Sequence, residues 1–221
     1  MNSEIKALQA LLKYRRVLRS ELVNLTGLSP EIISTIITNN TDSLKLDSEE
    51  IIVANPIQLA LKLANYGVEL RKISRLLNWK DFEMFTSQIL YGFGYEVLKS
   101  VKMTTPIKFE VDLIGVEEVT GFTLLVDCKH WSTMPRSRLI HAAIDHAERV
   151  KKVIRYYQYL RSKYRVLGKI KEILPLILTL LKPRIRLYEN ILFISIEEFP
   201  ELLRNKHKVL DYYELKLIRL K

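Results

Sequence analysis

Apolar residues recur every three or four positions in the first part of the chain, which is the spacing of one helical face. Residues 4–13 carry such a stripe and predict the first helix. Ser20 is suited to cap a short second helix that Gly27 ends. Ser29 and Pro30 then form the N-terminal signal of a third helix. The pattern therefore predicts three short, consecutive helices.

The third predicted helix has an apolar and a polar face. Its apolar face consists of Ile32, Ile33, Ile36 and Ile37. Its outward face consists of Ser34, Thr35, Thr38 and Asn39. A helix, a short helix, a tight turn and a capped helix form a helix-turn-helix, in which the second helix of the motif enters the major groove of DNA. The four polar residues are therefore candidate DNA contacts.

A short hairpin and a further helix complete this region. Residues 44–46 and 51–53 can pair as the wing of a winged helix, and Asn55 with Pro56 begins a fourth helix. The segment RSELVNLTGLSPEIISTIITN resembles the winged helix-turn-helix modules of archaeal and bacterial regulators, and the resemblance covers about residues 1–66. The resemblance implies DNA binding. Because the third helix contains no Lys or Arg, dimerisation or protein docking stays open as an alternative role.

The rest of the chain alternates between helical and extended patterns. It predicts, in order, a connector at 67–78, a helix from Trp79, strands at 95–98, 108–116 and 123–130, a long helix at 138–163, strands at 173–181 and 191–196, and a helix at 200–205. This order predicts a mixed α/β fold of the α+β type, in which helices flank a mixed β-sheet.

The charge is distributed unevenly. The 221 residues include 35 Lys and Arg against 25 Asp and Glu, which gives a formal net charge of +10. Twenty of the bases but only nine of the acids lie after residue 135, whereas residues 76–135 hold eight acids and five bases. A hydrophobic content of 48% excludes a disordered chain. The distribution suits an acidic pocket beside a phosphate-binding surface, with a solvated basic helix as the alternative.

Other features bear on location. The longest apolar run, residues 173–181, is much shorter than the roughly 20 residues of a membrane helix. The N-terminal segment places its acid before its apolar residues and its bases after them, the reverse of a secretory signal. Cys128 is the only cysteine, and the histidines have no zinc-ligand spacing. We therefore expect a cytoplasmic protein with no membrane span and no zinc.

Three acids and a lysine form the candidate catalytic group. Asp127 and Lys129 alternate along one predicted strand, so they project from the same face. Asp112 interrupts the apolar strand EVDLIGV, where a buried carboxylate is costly unless it is paired. Glu83 lies on the preceding helix, with Glu110 as its alternative. Mg²⁺, with Mn²⁺ as a substitute, prefers oxygen ligands, and metal-dependent phosphodiester hydrolysis uses such acids beside a cationic side chain.

The segments FE, VDLIG and LVDCKHW, taken in order, resemble the motifs of the PD-(D/E)xK nuclease superfamily, and within it the Mrr-like restriction endonucleases and archaeal Holliday-junction resolvases. The resemblance spans about residues 79–200. It implies a restriction-endonuclease-like domain, with Glu83, Asp112 and Asp127 as metal ligands and Lys129 as the catalytic lysine. The chain departs from the usual family pattern in three places: Asp rather than Glu is the (D/E)xK acid at Asp127, no Pro precedes Asp112, and no Gln motif appears early in the next helix.

The long predicted helix follows the catalytic strand directly and carries candidate contacts to the DNA backbone. These are Arg136, Arg138, Lys151 and Lys152. His141 and His146, on the same helix, are expected mainly at its surface. The predicted organisation is a winged helix at residues 1–66, a connector at 67–78 and a nuclease domain at 79–221.

We therefore expect a Mg²⁺-dependent DNA endonuclease that serves restriction, defence or repair. We expect a homodimer, because cutting both strands usually takes two active sites. Two alternatives stay open: a DNA-binding regulator or scaffold whose nuclease-like domain does not cleave, and a Holliday-junction resolvase.

Overall fold

The structure, a computed structural model, describes residues 3–220 and divides the chain into two units, Met1–Phe85 and Thr86–Lys221. The outermost residues of the two predicted domains, 1–2 and 221, lie outside the described residues. The division between the units falls within a helix that begins just after the predicted connector.

The first unit combines short helices with a small sheet. Its elements are α1 Ser3–Tyr14, β1 Arg16–Leu18, α2 Arg19–Thr26, α3 Pro30–Thr38, β2 Leu44–Asp47, β3 Glu50–Val53, α4 Pro56–Asn65, α5 Leu70–Ser74 and the first part of α6 Trp79–Gly92. β2 and β3 pair as the predicted hairpin, and β1, which the sequence pattern misses, adds to β3 as a third antiparallel strand. Helices α1 to α3 and this hairpin follow one another in the order expected of a winged helix, and the winged-helix assignment itself stays a prediction.

Side-chain caps begin two of the helices as predicted. The side chains of Ser29 and Asn55 each accept a backbone N–H from the first turn of the helix that follows. The prediction of Ser20 as an N-cap is wrong. The Glu21 carboxylate instead accepts the Leu18 N–H at 3.0 Å, so α2 begins one residue earlier than the predicted cap.

The buried face of α3 is narrower than predicted. Ile33, Ile36 and Ile37 are buried, whereas Ile32, which we expected to be buried, is 43% exposed. Successive residues of a helix lie about 100° apart, so Ile32 falls at the edge of the face that Ile33 and Ile36 define. The three inner isoleucines form the whole apolar stripe of this nine-residue helix.

The second unit is built around a seven-stranded mixed sheet. Its elements after α6 are β4 Tyr95–Met103, β5 Phe109–Glu117, β6 Phe122–Lys129, α7 Arg136–Arg155, α8 Tyr157–Lys163, a 3₁₀ helix Arg165–Lys169, β7 Glu172–Thr179, β8 Leu187–Tyr188, β9 Ile191–Ser195, α9 Phe199–Arg204, α10 Lys206–Tyr212 and β10 Ile218–Arg219. The strand order is β4-β5-β6-β7-β9-β8, and β10 pairs with β7. The predicted mixed sheet flanked by helices is confirmed.

Helix α7 connects the two parallel strands at the centre of the sheet. β6 and β7 run parallel, so the chain must cross over between their ends, and α7 is the longest element of that crossover. Val150 and Val153 of α7 belong to the same buried cluster as Leu125 of β6. α7 ends at Arg155, and a separate helix begins at Tyr157, so the single long helix that we predicted is two helices.

None of the helices that residues 3–220 form combines the length and the apolar composition needed to cross a membrane.

The turn between β5 and β6 depends on Gly121. Its φ is +76°, and a Cβ at this position would lie 2.5 Å from the Lys169 carbonyl oxygen. We expect Gly121→Ala to lower the free energy of unfolding by about 2–3 kcal/mol, because the new methyl group clashes with backbone and the φ is unfavourable. Gly168→Ala is the matched control, since its Cβ would meet nothing closer than 3.8 Å. Equal urea midpoints for the two variants would contradict this prediction.

Candidate active site

Two strands bring the predicted carboxylates to one place. The antiparallel pairing of β5 with β6 runs to Leu113 opposite Val126, and continuing this register places Asp112 opposite Asp127. Here the Asp112 side chain bonds to the backbone of β6: its Oδ2 accepts the Cys128 N–H at 2.8 Å. The two acids are therefore neighbours at the end of the β5–β6 pair.

Asp127 is the most buried member of the group, with its side chain only 1% exposed. Its Oδ1 accepts hydrogen bonds from Arg149 Nη1 at 2.6 Å and from Lys129 Nζ at 2.9 Å. Its Oδ2 lies 2.8 Å from Lys129 Nζ but has no aligned hydrogen-bond partner among the described residues. Burial alone would raise the pKa of Asp127, but the charges of Lys129 and Arg149 hold the pKa below its ordinary value.

Asp112 has the opposite electrostatic environment. Burial, and then repulsion from the Asp127 carboxylate, raise the pKa of Asp112 from 3.8 to about 6, although the Cys128 N–H stabilises its charged form. Two neighbouring carboxylates thus have pKa values that are pushed apart. A cation in contact with both carboxylates would offset the repulsion between these two groups.

An aromatic wall adjoins the lysine. Trp131 packs against a buried cluster, with Lys129 Nζ 5.6 Å and Arg138 Cζ 4.0 Å from its ring centroid. The two cations therefore interact with one indole ring. Trp131 therefore forms a wall of the site beside Lys129.

A cavity of 570 Å³ follows the ends of β6 and β7. It is lined by Ser132, Thr133, Met134, Pro135, Leu181, Lys182 and Arg184. Because β6 and β7 are parallel, the segments that leave them meet at the same edge of the sheet as Lys129. Sequence reasoning missed Lys182 and Arg184. The available signal was that they directly follow a strand parallel to the catalytic one.

Arg149 was also missed, and His146 was misplaced. The prediction of His146 at the surface is wrong, because its side chain is buried against β6 and its Nε2–H donates to the Leu125 carbonyl at 3.0 Å. Burial lowers the pKa of His146 to about 4, so the ring is neutral at pH 7. The sequence signal for His146 was its position on the apolar stripe of α7, which consists of Ala142, Ala143, Val150 and Val153. Arg149 lies beside this stripe.

The remaining candidate metal ligands are Glu83 and its alternative, Glu110. Glu83 is half-buried on α6 and belongs to the first unit, so its role as a metal ligand stays a prediction. Its alternative, Glu110, is exposed and forms a 3.1 Å ion pair with Lys102 on the neighbouring strand. Within residues 3–220, no group of three or more His, Cys, Asp and Glu side chains is arranged to hold a metal ion.

The predicted DNA contacts lie on two helices, one in each unit. On α7, Arg136 is exposed, Arg138 contacts Trp131, Lys151 pairs with Glu148 and Lys152 is half-buried. On α3, the hydroxyls of Ser34, Thr35 and Thr38 donate to carbonyls of the preceding turn, and Asn39 is exposed. The hydroxyl oxygens keep lone pairs for further bonds, so contact with DNA by these residues stays a prediction.

Comparisons with known proteins add little to this geometry. No protein-family profile and no curated protein matches the chain. A solved structure, that of protein VC1899 from Vibrio cholerae, matches over 96% of this chain with 11% sequence identity and a TM-score of 0.35. The chain spans about half, 52%, of the length of that protein. The function must therefore be inferred from the chemistry of the site.

The raised pKa of Asp112 leads to a prediction about the free energy of unfolding. A carboxyl whose folded-state pKa exceeds its unfolded value destabilises the fold increasingly as the pH rises through the folded-state pKa of about 6. We therefore expect Asp112→Asn, measured in EDTA at pH 7.5, to raise the free energy of unfolding by about 1–2 kcal/mol. The amide oxygen can still accept the Cys128 N–H.

This gain should disappear near pH 3.5, where Asp112 is protonated in both states. Asp211→Asn is the control, because Asp211 is exposed on α10. Chemical unfolding of the three proteins at both pH values measures the effect. A stability of Asp112→Asn equal to or below that of the parent at pH 7.5 would show that the Asp112 carboxylate is not destabilised in the folded protein.

Proposed function

We propose that the second unit is a metal-dependent nuclease that hydrolyses DNA phosphodiester bonds as an endonuclease. The observation that carries the proposal is the juxtaposition of Asp112, Asp127 and Lys129 at one edge of the sheet. Two neighbouring carboxylates of opposed pKa shift, one of them paired with an ammonium group, are the parts that metal-assisted phosphate chemistry requires.

The donor set fits a hard divalent cation. Asp112 and Asp127 would hold Mg²⁺, or Mn²⁺ in its place, and both offer only oxygen ligands. Mg²⁺ keeps several waters and completes its shell with substrate phosphate, so two protein carboxylates are sufficient. When bound, the metal supplies Lewis-acid polarisation of a phosphoryl oxygen and lowers the pKa of a coordinated water.

Lys129 then has a role of its own. Contact with both oxygens of Asp127 keeps its ammonium group at the centre of the site, while 20% of the side chain remains exposed. From there it orients the attacking water and offsets the negative charge that grows on the phosphorus oxygens in the transition state. Trp131 limits the freedom of this side chain from the other side.

The charge around the site favours a polyanionic substrate. Arg136 and Arg138 begin α7, and Lys182 and Arg184 line the neighbouring cavity, so cations lie on both sides of the edge where β6 and β7 end. DNA neutralised by such groups would release counterions, which makes binding strongly dependent on salt. We place the activity in the cytoplasm, in a homodimer that cuts both strands, with the winged helix as an additional contact to DNA.

The activity can be tested by incubating the full chain with Mg²⁺ or Mn²⁺ and duplex, single-stranded, methylated and four-way-junction DNA. We expect metal-dependent cleavage that Asp127→Asn and Lys129→Met each reduce by about 10²–10³-fold, because each removes transition-state stabilisation. The matched controls are Asp211→Asn and Lys216→Met, which remove an exposed acid and an exposed lysine of the same unit.

The outcomes separate the alternatives. Cleavage of four-way junctions only would make the protein a resolvase. Salt-dependent DNA binding with no cleavage of any substrate would overturn the nuclease proposal and favour a DNA-binding regulator or scaffold. Full activity in Asp127→Asn would show that the site lies elsewhere.

The cations that line the cavity lead to a separate prediction about DNA binding. We expect Lys182→Gln combined with Arg184→Gln to weaken DNA affinity for all sequences alike and to reduce the slope of log affinity against log salt by about 1–2, because up to two phosphate contacts are lost. Lys208→Gln combined with Lys216→Gln removes the same charge from another surface and is the control. Affinities measured by fluorescence anisotropy at four salt concentrations give the slopes. Equal slopes in both double variants would contradict this prediction.

A further inference from the structure

Arg149 makes a strong contact in the site that the proposed mechanism does not use. Its Nη1 donates to Asp127 Oδ1 at 2.6 Å, and its Nε donates to the Asp145 carbonyl oxygen at 3.3 Å, within α7. These bonds use two of the five N–H donors of a guanidinium group. Because 21% of the side chain is exposed, the guanidinium reaches from the buried carboxylate to the surface of the site.

The charges of this cluster already cancel before any ligand binds. Asp112 and Asp127 are the acids, and Lys129 and Arg149 are the bases. A divalent cation added to this set leaves an excess of two positive charges in a largely buried place. Coulomb repulsion between that cation and the guanidinium therefore opposes metal binding, because both contact the same carboxylate.

A phosphodiester group carries one negative charge and therefore halves this excess. Its oxygens are acceptors for a guanidinium, which binds phosphate with two parallel N–H···O bonds more readily than an ammonium does. Arg149 is fixed to α7, and Lys129 stands at the same carboxylate, so a phosphate that binds there meets both cations. The positive charge of the metal and the negative charge of the phosphate therefore favour each other's binding.

Resting on the function proposed above, we propose that Arg149 couples the two ligands: it competes with the divalent cation for Asp127, and it binds the substrate phosphate once the cation has taken that carboxylate. The protein then binds the metal weakly without DNA and tightly with it. Arg149 thereby binds phosphate when substrate is present. When substrate is absent, it lowers the affinity of the site for the metal.

The test is Mn²⁺ binding, measured by the electron paramagnetic resonance signal of free Mn²⁺, with and without a short phosphorothioate duplex. The double variant Asp112→Asn/Asp127→Asn shows how much Mn²⁺ binds elsewhere, including to the DNA. For the parent protein we expect the duplex to tighten Mn²⁺ binding at this site at least tenfold. For Arg149→Met we expect Mn²⁺ to bind about tenfold more tightly without DNA, and the duplex to change this affinity less than threefold.

Arg155→Met is the matched control, because Arg155 is exposed on the same helix and does not contact Asp127. It should behave as the parent does, and Arg149→Lys should keep part of the coupling. If Arg149→Met keeps its melting temperature but binds Mn²⁺ no more tightly than the parent, Arg149 is merely structural and the inference is overturned. If that variant fails to fold, the parent protein still decides, since a duplex that leaves its Mn²⁺ affinity unchanged excludes coupling.

The failures of the two proposals are distinguishable. Mn²⁺ binding by the parent no greater than that of the Asp112→Asn/Asp127→Asn protein, with and without DNA, would overturn the metal site on which the proposed function rests. Mn²⁺ binding that requires both acids but shows no response to DNA or to Arg149 would leave the nuclease proposal intact and overturn the coupling.

Discussion

The buried carboxylate of Asp127 is the constraint around which the site is organised. An ionised group with 1% exposure costs several kcal/mol of desolvation unless cations and hydrogen bonds compensate for it. One compensating cation, Lys129, comes from the same strand two residues later. The other, Arg149, comes from α7, so the ion pair joins the crossover helix to the strand that precedes it. Removing either cation would leave part of a buried charge uncompensated.

Asp112 shows that the same arrangement is not optimised for stability. A carboxyl that faces another carboxylate, with a pKa of about 6, weakens the fold at neutral pH, and an amide in its place would keep the hydrogen bond from Cys128. A charge held where it is unfavourable suggests that something else stabilises it during function. His146, packed beneath as a neutral ring, adds no positive charge that would do so.

The sequence pattern was sufficient to predict that Asp112, Asp127 and Lys129 lie together, because the signals involved are local. Alternation along a strand puts Asp127 and Lys129 on one face, and the apolar surroundings of Asp112 make it conspicuous. Arg149 could not be found in the same way, since helical periodicity gives the face on which a residue lies but not the strand residue that it meets. The strands β1 and β10 have three and two residues, which is too short for any pattern to be visible.

The net charge of +10 belongs to the whole chain and does not distinguish two kinds of charged group in the second unit. At the surface, cations such as Arg136 and Arg184 face solvent, where they attract a polyanion over a distance set by salt. Inside the site, two acids and two bases neutralise one another, so this part contributes nothing to the net charge. Under the proposed function, attraction at the surface would bring DNA to the site without itself changing the charge inside the site. In the coupling proposed above, metal and phosphate then bind through an exchange of partners at Asp127. An arginine suits that exchange because it binds carboxylate and phosphate with the same planar geometry.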